Sequence, residues 1–216
     1  MNKIISPSLL SANFGNLQAD CEMINASEAE WLHIDVMDGS FVPNISFGFP
    51  VMVAAKKYCT KPLDVHLMIV HPEKYISRFA KAGAGILTFH YETVENPLEV
   101  IKLIKAEGIK VGITINPDVD VRVLEPFVDK VDLVLLMTVF AGYGGQQFIE
   151  KSYDRIAELK EMIQNKNSHC LIEVDGGINE QNAAKLFDSG VNVLVAGSAV
   201  FKSHDPLKTI HSMLNS

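Results

Sequence analysis

Trp31-Leu-His-Ile-Asp-Val-Met-Asp-Gly-Ser-Phe-Val-Pro-Asn44 combines the end of a strand with a row of groups able to do chemistry. Trp31 to Val36 is aromatic and branched and stops at Asp38-Gly39, the pattern of a short strand entering a turn. Side chains two apart on a strand share a face, so His33 and Asp35 point one way and Leu32, Ile34 and Val36 the other. The same grammar recurs at Pro62-Leu-Asp-Val-His-Leu-Met68, where Asp64 and His66 share a face, and at His169-Cys-Leu-Ile-Glu-Val-Asp-Gly-Gly177, where Glu173 and Asp175 do. Three strands thus end in His or Asp just where each gives way to a loop.

Outward from that stretch, strands and helices alternate. Ile4 to Leu10 reads as a first strand, and Leu17, Cys21 and Ile24 recur at helical spacing. After the second strand come a loop with Pro43 and Pro50, a short helix from Met52 to Tyr58, and the Pro62 strand. His71-Pro72 opens a helix that stops at Gly83, Gly85 to His90 is strand four, and Asn96-Pro97 caps a helix that stops at Gly108. Ile109 to Ile115 is strand five, Asp118 to Val128 a weaker helix, Leu133 to Val139 strand six and Ser152 to Ile163 a helix. Strand seven reaches Asp175, Asn179 caps a helix ending near Gly190, Val191 to Ala196 is strand eight, and Asp205-Pro206 caps the last helix. Eight such units predict a single-domain (β/α)8 barrel, the TIM barrel, over residues 1–216. An open doubly wound sheet gives the same alternation. Polar residues at the ends of strands one, two, three, seven and eight favour the closed form, which gathers those ends around one mouth.

With 216 residues, 48% of them hydrophobic, the chain has material for one sizeable core. A net charge of −7 and the lack of any basic run argue against a nucleic-acid partner. Cys21, Cys59 and Cys170 lie far apart, so a disulfide framework is not expected and the chain reads as cytoplasmic. The amino terminus shows no signal-peptide pattern, and no apolar run approaches the ~18 residues of a membrane span.

Two constellations carry chemistry. Gly142-Tyr-Gly-Gly145-Gln146, Gly176-Gly177 and Gly197-Ser198 follow strands six, seven and eight. Glycines let backbone N–H groups approach an anion, a following helix start adds its dipole, and barrels place phosphate sites after strands seven and eight. His33, Asp35, His66 and Asp175 offer two imidazoles and two carboxylates from three strands, a donor set suited to one divalent Zn, Fe, Mn or Co ion. His90 reads as a packed histidine, and His71, His169, His204 and His211 as solvated. Met37, Met68 and Met137 follow strand ends and are candidates for a soft apolar lid.

Ser6-Pro-Ser-Leu-Leu10, His33-Ile-Asp-Val-Met-Asp-Gly39 with Phe41-Val-Pro-Asn44, Asp64-Val-His-Leu-Met68, Gly142 to Gln146, Val174-Asp-Gly-Gly177 and Gly197-Ser198 together resemble the ribulose-phosphate 3-epimerase family over nearly the whole chain. The resemblance implies a metal-dependent epimerase interconverting D-ribulose and D-xylulose 5-phosphate in the pentose phosphate pathway. It also implies that the metal ligands are His33, Asp35, His66 and Asp175, with Asp35 and Asp175 the acid-base pair. Ser8, His66, Gly142, Tyr143, Gly144, Gly145, Gly176, Gly177, Gly197 and Ser198 would contact substrate, while Met37, Met68 and Met137 would shield the intermediate. The expected partners are a sugar phosphate and further copies of the chain, without nucleic acid or membrane. One departure is Phe140-Ala141, where family members commonly carry Asn-Pro or Glu-Pro; it bears on the loop's shape and on substrate preference.

Three rivals share parts of this pattern. A sister epimerase would act on a hexulose 6-phosphate such as D-allulose 6-phosphate. A phosphosugar decarboxylase would use a lysine in an Asp-x-Lys-x-x-Asp run, which no strand here carries. A non-catalytic phosphosugar sensor would not need both carboxylates.

Overall fold

The structure, a computed structural model, describes residues 3–216; Met1 and Asn2, part of the amino-terminal stretch and of the 1–216 span read above, lie outside it. The strands are β1 (Ile4–Pro7), β2 (Leu32–Met37), β3 (Leu63–Met68), β4 (Ala84–His90), β5 (Lys110–Ile115), β6 (Leu133–Met137), β7 (Leu171–Asp175) and β8 (Val193–Ala196). The helices are α1 (Leu17–Ala26), α2 (Phe49–Tyr58), α3 (Ile76–Lys81), α4 (Pro97–Ala106), α5 (Ser152–Asn165), α6 (Glu180–Ser189), α7 (Ser198–Phe201) and α8 (Pro206–Leu214). All eight strands form one sheet in the order β1-β8-β7-β6-β5-β4-β3-β2. The seam between β1 and β2 is joined by a parallel bridge from Ser8 to His33 and by the Glu30 N–H donating to the Ile5 carbonyl. This nearly closed cylinder is the expected (β/α)8 barrel.

Strand alternation sorts side chains into two environments. Outward residues such as Leu32, Ile34, Val65, Leu67, Phe89, Ile113 and Val174 pack with Ile24, Met52, Phe79, Ile104, Leu159 and Leu186 of the helical layer. Within the cylinder, Ile4, Trp31, Ile86, Leu133 and Val193 plug the amino-terminal end. In the next layer β1, β2, β4 and β7 turn polar, at Ser6, His33, Thr88 and Glu173, all fully buried, while Leu135 and Val195 continue apolar on β6 and β8. Two further still stand Ser8, Asp35, His90, Met137 and Asp175, at the carboxyl-terminal mouth. A barrel interior is ordinarily filled with branched apolar residues. Here the lowest layer follows that rule fully and the upper layers only in part, at Leu135 and Val195.

The helix caps that the sequence signals are formed. Asn96 and Asp205 accept from the amides of Glu99 and Lys208, with a proline opening each helix. Asn179 and Asn182 make a reciprocal capping box, and Gly190 (φ 107°) closes α6 in the left-handed region.

Several boundaries depart from expectation, among them α2, which begins at Phe49 rather than Met52, and β8, which begins at Val193 rather than Val191. Asp118 to Val128 is not a helix; only Val121–Leu124 forms a 3₁₀ turn, capped by Asp120. Three β-branched valines and Pro126 remove the propensity and the amide that a longer helix needs. The first strand stops at Pro7, because the Ser8 hydroxyl accepts from the Leu10 amide and starts a 3₁₀ turn at Leu9–Ser11. Strand six stops at Met137 rather than Val139. Past His71 (φ 53°) the chain makes a 3₁₀ turn at Pro72–Lys74 before α3 begins.

The barrel interior gives a stability test at Gly112, which pairs with Thr88 across β4 and β5. A Cβ at Gly112 would lie 2.1 Å from Thr88 Oγ1. Overpacking of this kind costs about 1–3 kcal/mol, and in a chain of this size each kcal/mol lowers Tm by roughly 2–4 °C. We expect Gly112→Ala to lower Tm by several degrees and Thr88→Ala in the same chain to recover part of the loss. An unchanged Tm in the single variant would contradict this packing.

A candidate metal centre at the barrel mouth

Register brings the polar residues together. β2 and β3 pair so that His33 lies beside Asp64 and Asp35 beside His66, while Asp175 ends β7 next to Met137. His33 Nε2 is 3.3 Å from Asp35 Oδ1 and 4.0 Å from Asp175 Oδ2. His66 Nδ1 is 3.3 Å from Asp35 Oδ1 and 3.8 Å from Asp175 Oδ2. Donors bonded to one ion at about 2.0–2.2 Å sit roughly 3–4 Å from one another, so these separations suit a common centre. His33 Nε2 is also buried without a hydrogen-bond partner, a costly state unless something else uses its lone pair. The four residues expected from the sequence are therefore one cluster, and it could hold a metal ion.

Behind the cluster stand residues that the sequence reading left out of the site. His33 Nδ1 is 2.6 Å from Asp64 Oδ2, which also accepts from Ser6 Oγ at 3.2 Å. Glu173 lies beneath, 3.9 Å from His33 Nδ1. His90, read as a packed histidine, is buried but not inert: its Nε2 is 2.9 Å from His66 Nε2. For the two acids the signal was available. Asp64 and Glu173 lie two residues before His66 and Asp175, and therefore on the same inward face. His71, His169, His204 and His211 are exposed, as expected.

The two mouth carboxylates are driven apart. Burial works to raise the Asp35 pKa, but the His33 charge and hydrogen bonds from both imidazoles outweigh it and hold the group below the usual carboxylate range. For Asp175, burial first and then the Asp35 charge push the pKa up to about 7, and the His33 charge offsets only part of that rise. Burial disfavours charge on His33 as well, but the Asp35 and Asp64 carboxylates prevail and raise it. Burial lowers His66, and brings His90 down to about 4. Burial and the Asp64 charge raise Glu173 well above a normal glutamate. Near neutral pH the mouth thus carries one ionised carboxylate and one that exchanges its proton readily. This pattern marks acid-base pairs.

Ser8, Asp35 and Asp175 open into a cleft walled by Met37, Met68 and Met137 and rimmed by the three glycine segments. The methionines are buried at the strand ends, so they form wall rather than lid. Asn44 Nδ2 donates to the Gly142 carbonyl, and Gln146 Nε2 donates to the carbonyls of Phe140 and Tyr143. These bonds tie the loop over the cleft with Phe140 and Tyr143 half or more exposed. Among the described residues, the amides of Gly144, Gly145, Gly176, Gly177 and Gly197 donate to no backbone carbonyl. They are free to face an anion. Lys151 and Lys202, the cations nearest in sequence, are exposed.

Comparison with known proteins bears on the fold and on the family. The structure is similar to a KGPDC from Streptococcus mutans (TM-score 0.73, 13% identity, 100% of this chain and 97% of that one). It is likewise similar to a mutant tryptophan synthase alpha-subunit from Pyrococcus furiosus (TM-score 0.72, 15% identity, 100% and 98%). At such identities these share the fold. By sequence, the chain is 46% identical to the ribulose-phosphate 3-epimerase of Bacillus subtilis (strain 168), over 98% of each chain. It is 44% identical to the chloroplastic ribulose-5-phosphate-3-epimerase of Arabidopsis thaliana, over 96% of this chain and 74% of that one. The model of the Ribulose-phosphate 3 epimerase family matches residues 4–201, and the chain belongs to that family.

Proposed function

We propose that this enzyme interconverts D-ribulose 5-phosphate and D-xylulose 5-phosphate, with Asp35 and Asp175 exchanging the C3 proton. The observation that carries this reading is the paired carboxylates of opposite protonation tendency at one mouth, Asp35 held low and Asp175 at about 7. An ionised carboxylate removes the C3 proton, the C–H electron pair moves toward the C2 carbonyl oxygen, and an enediolate forms. The protonated carboxyl on the opposite face returns a proton to C3 and inverts it. No redox cofactor is needed, and each acid finishes in the protonation state with which the reverse reaction starts.

The Ser8 hydroxyl, bonded to Asp35 Oδ2, fixes the direction in which that carboxylate can reach. Met37, Met68 and Met137 keep water from the intermediate, and the free amides of the glycine segments hold the phosphate without a lysine. A divalent Zn, Fe, Mn or Co ion held by His33, Asp35, His66 and Asp175 would supply electrostatic stabilisation of the developing oxyanion, which acid-base catalysis worth roughly 10²–10⁴-fold does not. Self-association belongs to the same reading and is checked by sedimentation velocity. The test of substrate is kcat/KM for D-ribulose 5-phosphate against D-allulose 6-phosphate. Preference for the pentulose supports the reading, and preference for the hexulose overturns it.

Three further outcomes are expected. Asp175→Asn keeps the shape but not the exchangeable proton, so kcat should fall by roughly 10²–10⁴-fold with the circular dichroism unchanged; a loss under tenfold would remove Asp175 from the mechanism. Metal-stripped protein should be inactive and regain activity with these ions, and its affinity should depend on pH with a definite sign. Asp175 in the metal-free protein is raised to about 7, so below that pH a cation must displace its proton, and Zn²⁺ affinity should weaken by about tenfold per unit as pH falls. Raised His33 adds a dependence of the same sign, and a pH-independent affinity would count against both groups as ligands. For the phosphate, Gly144 is the informative position, since a Cβ there meets only Ser11 Oγ at 3.9 Å, whereas one at Gly177 would strike the Phe148 backbone at 2.3 Å. Gly144→Val should raise KM more than Lys202→Ala; the reverse order would replace the amide cradle with a lysine contact.

A further inference from the structure

The buried polar layer one step beneath the mouth has no counterpart in an ordinary barrel core. Ser6, His33, Asp64 and Glu173 are each fully buried, on four different strands. None can touch substrate, because Asp35, His66 and Asp175 stand between them and the cleft. Removing two carboxyls from water costs several kcal/mol each unless they are paired, so the layer must stabilise something specific. Its contacts converge on one atom, His33 Nδ1, 2.6 Å from Asp64 Oδ2 and 3.9 Å from Glu173 Oε1.

We propose that Asp64 is a positioning residue for the metal centre: it accepts the His33 Nδ1–H, and so fixes the tautomer and ring plane that leave the Nε2 lone pair directed between Asp35 and Asp175. An imidazole with no outer partner divides its proton between two nitrogens and turns about its Cβ–Cγ bond. A carboxylate at hydrogen-bond distance from Nδ1 removes both freedoms and makes Nε2 a better donor. Ser6 Oγ, donating to the same oxygen at 3.2 Å, holds Asp64 against the ring. His33, Asp64 and Glu173 could themselves be read as a second ion site. The 2.6 Å separation excludes this, since two donors on one ion at about 2.0–2.1 Å stand roughly 3 Å or more apart. His66 lacks such a carboxylate, its Nε2 facing His90 instead. The two imidazoles are therefore unequal ligands, and His33 is the one whose affinity depends on an outer acid.

The inference rests on the proposed metal centre, and the experiment separates the two. Full-length metal-stripped protein is titrated with Zn²⁺ against a competing chelator, and folding of each variant is followed by circular dichroism and urea unfolding. Wild type should bind one ion per chain; no binding sinks the metal centre itself, and two ions overturn the role given to Asp64. Asp64→Asn should weaken Zn²⁺ binding by roughly 10–100-fold, the range seen for lost outer partners of metal-bound histidines. In the His33→Gln background the same change should cost less than threefold, because a residue acting through His33 has nothing left to act on. The Co²⁺ absorption spectrum should shift in Asp64→Asn and stay as it is in Lys202→Ala. Should Asp64→Asn not fold, Ser6→Ala serves in its place, with a several-fold loss of Zn²⁺ affinity and a shifted His33 Nδ1–H proton resonance expected. An affinity within threefold of wild type in whichever of these variants folds, or an equal loss with and without His33, overturns the proposal.

Discussion

Ionised groups in a protein interior must find partners, and this barrel is arranged around that necessity. Asp35, Asp64, Glu173 and Asp175 crowd against His33 and His66 in a volume from which water is nearly absent. Their mutual fields resolve the crowding by driving neighbours apart: Asp35 and Asp64 fall, Asp175 and Glu173 rise, and His33 rises between them. An apolar filling would make a more stable barrel and a useless one. The departure from apolar packing is confined to the upper two layers, and the plug of Ile4, Trp31, Ile86, Leu133 and Val193 below keeps the fold anchored.

The mouth divides into two halves with different physics. On the β2, β3 and β7 side, charge is concentrated and desolvated, so proton affinities can be tuned over several units. On the β6, β7 and β8 side, the chain uses backbone instead: glycines whose amides remain free, tied down by Asn44 and Gln146. Asp175 sits at the junction, its side chain 18% exposed against 5% for Asp35, and faces the cleft more openly than its partner.

Much of this was legible in the sequence, because a strand period of two maps position directly onto face. The sequence His33-x-Asp35, read with Asp64-x-His66 and Glu173-x-Asp175, already placed six polar side chains inside a barrel. What the period could not supply was register, and register decides contact. Only the pairing of His33 with Asp64 and Asp35 with His66 shows that one carboxylate backs the first imidazole while another stands beside the second. His90 is packed, as read, but its contact with His66 crosses from β4 to β3 and leaves no local trace in the sequence. The missing helix after β5 failed on weighting, since Val119, Val121, Val123 and Pro126 all argued against it within the sequence itself.

In the proposed reaction C3 is deprotonated by one carboxylate and reprotonated by the other, and both carboxyl protons exchange with solvent. Turnover of D-ribulose 5-phosphate in D₂O, followed by proton NMR or mass spectrometry, tests it directly. Essentially every D-xylulose 5-phosphate formed should carry one carbon-bound deuteron, at C3, and none on any other carbon. Product retaining the original C3 proton would contradict a two-acid mechanism and require the same hydrogen to be carried from one face to the other.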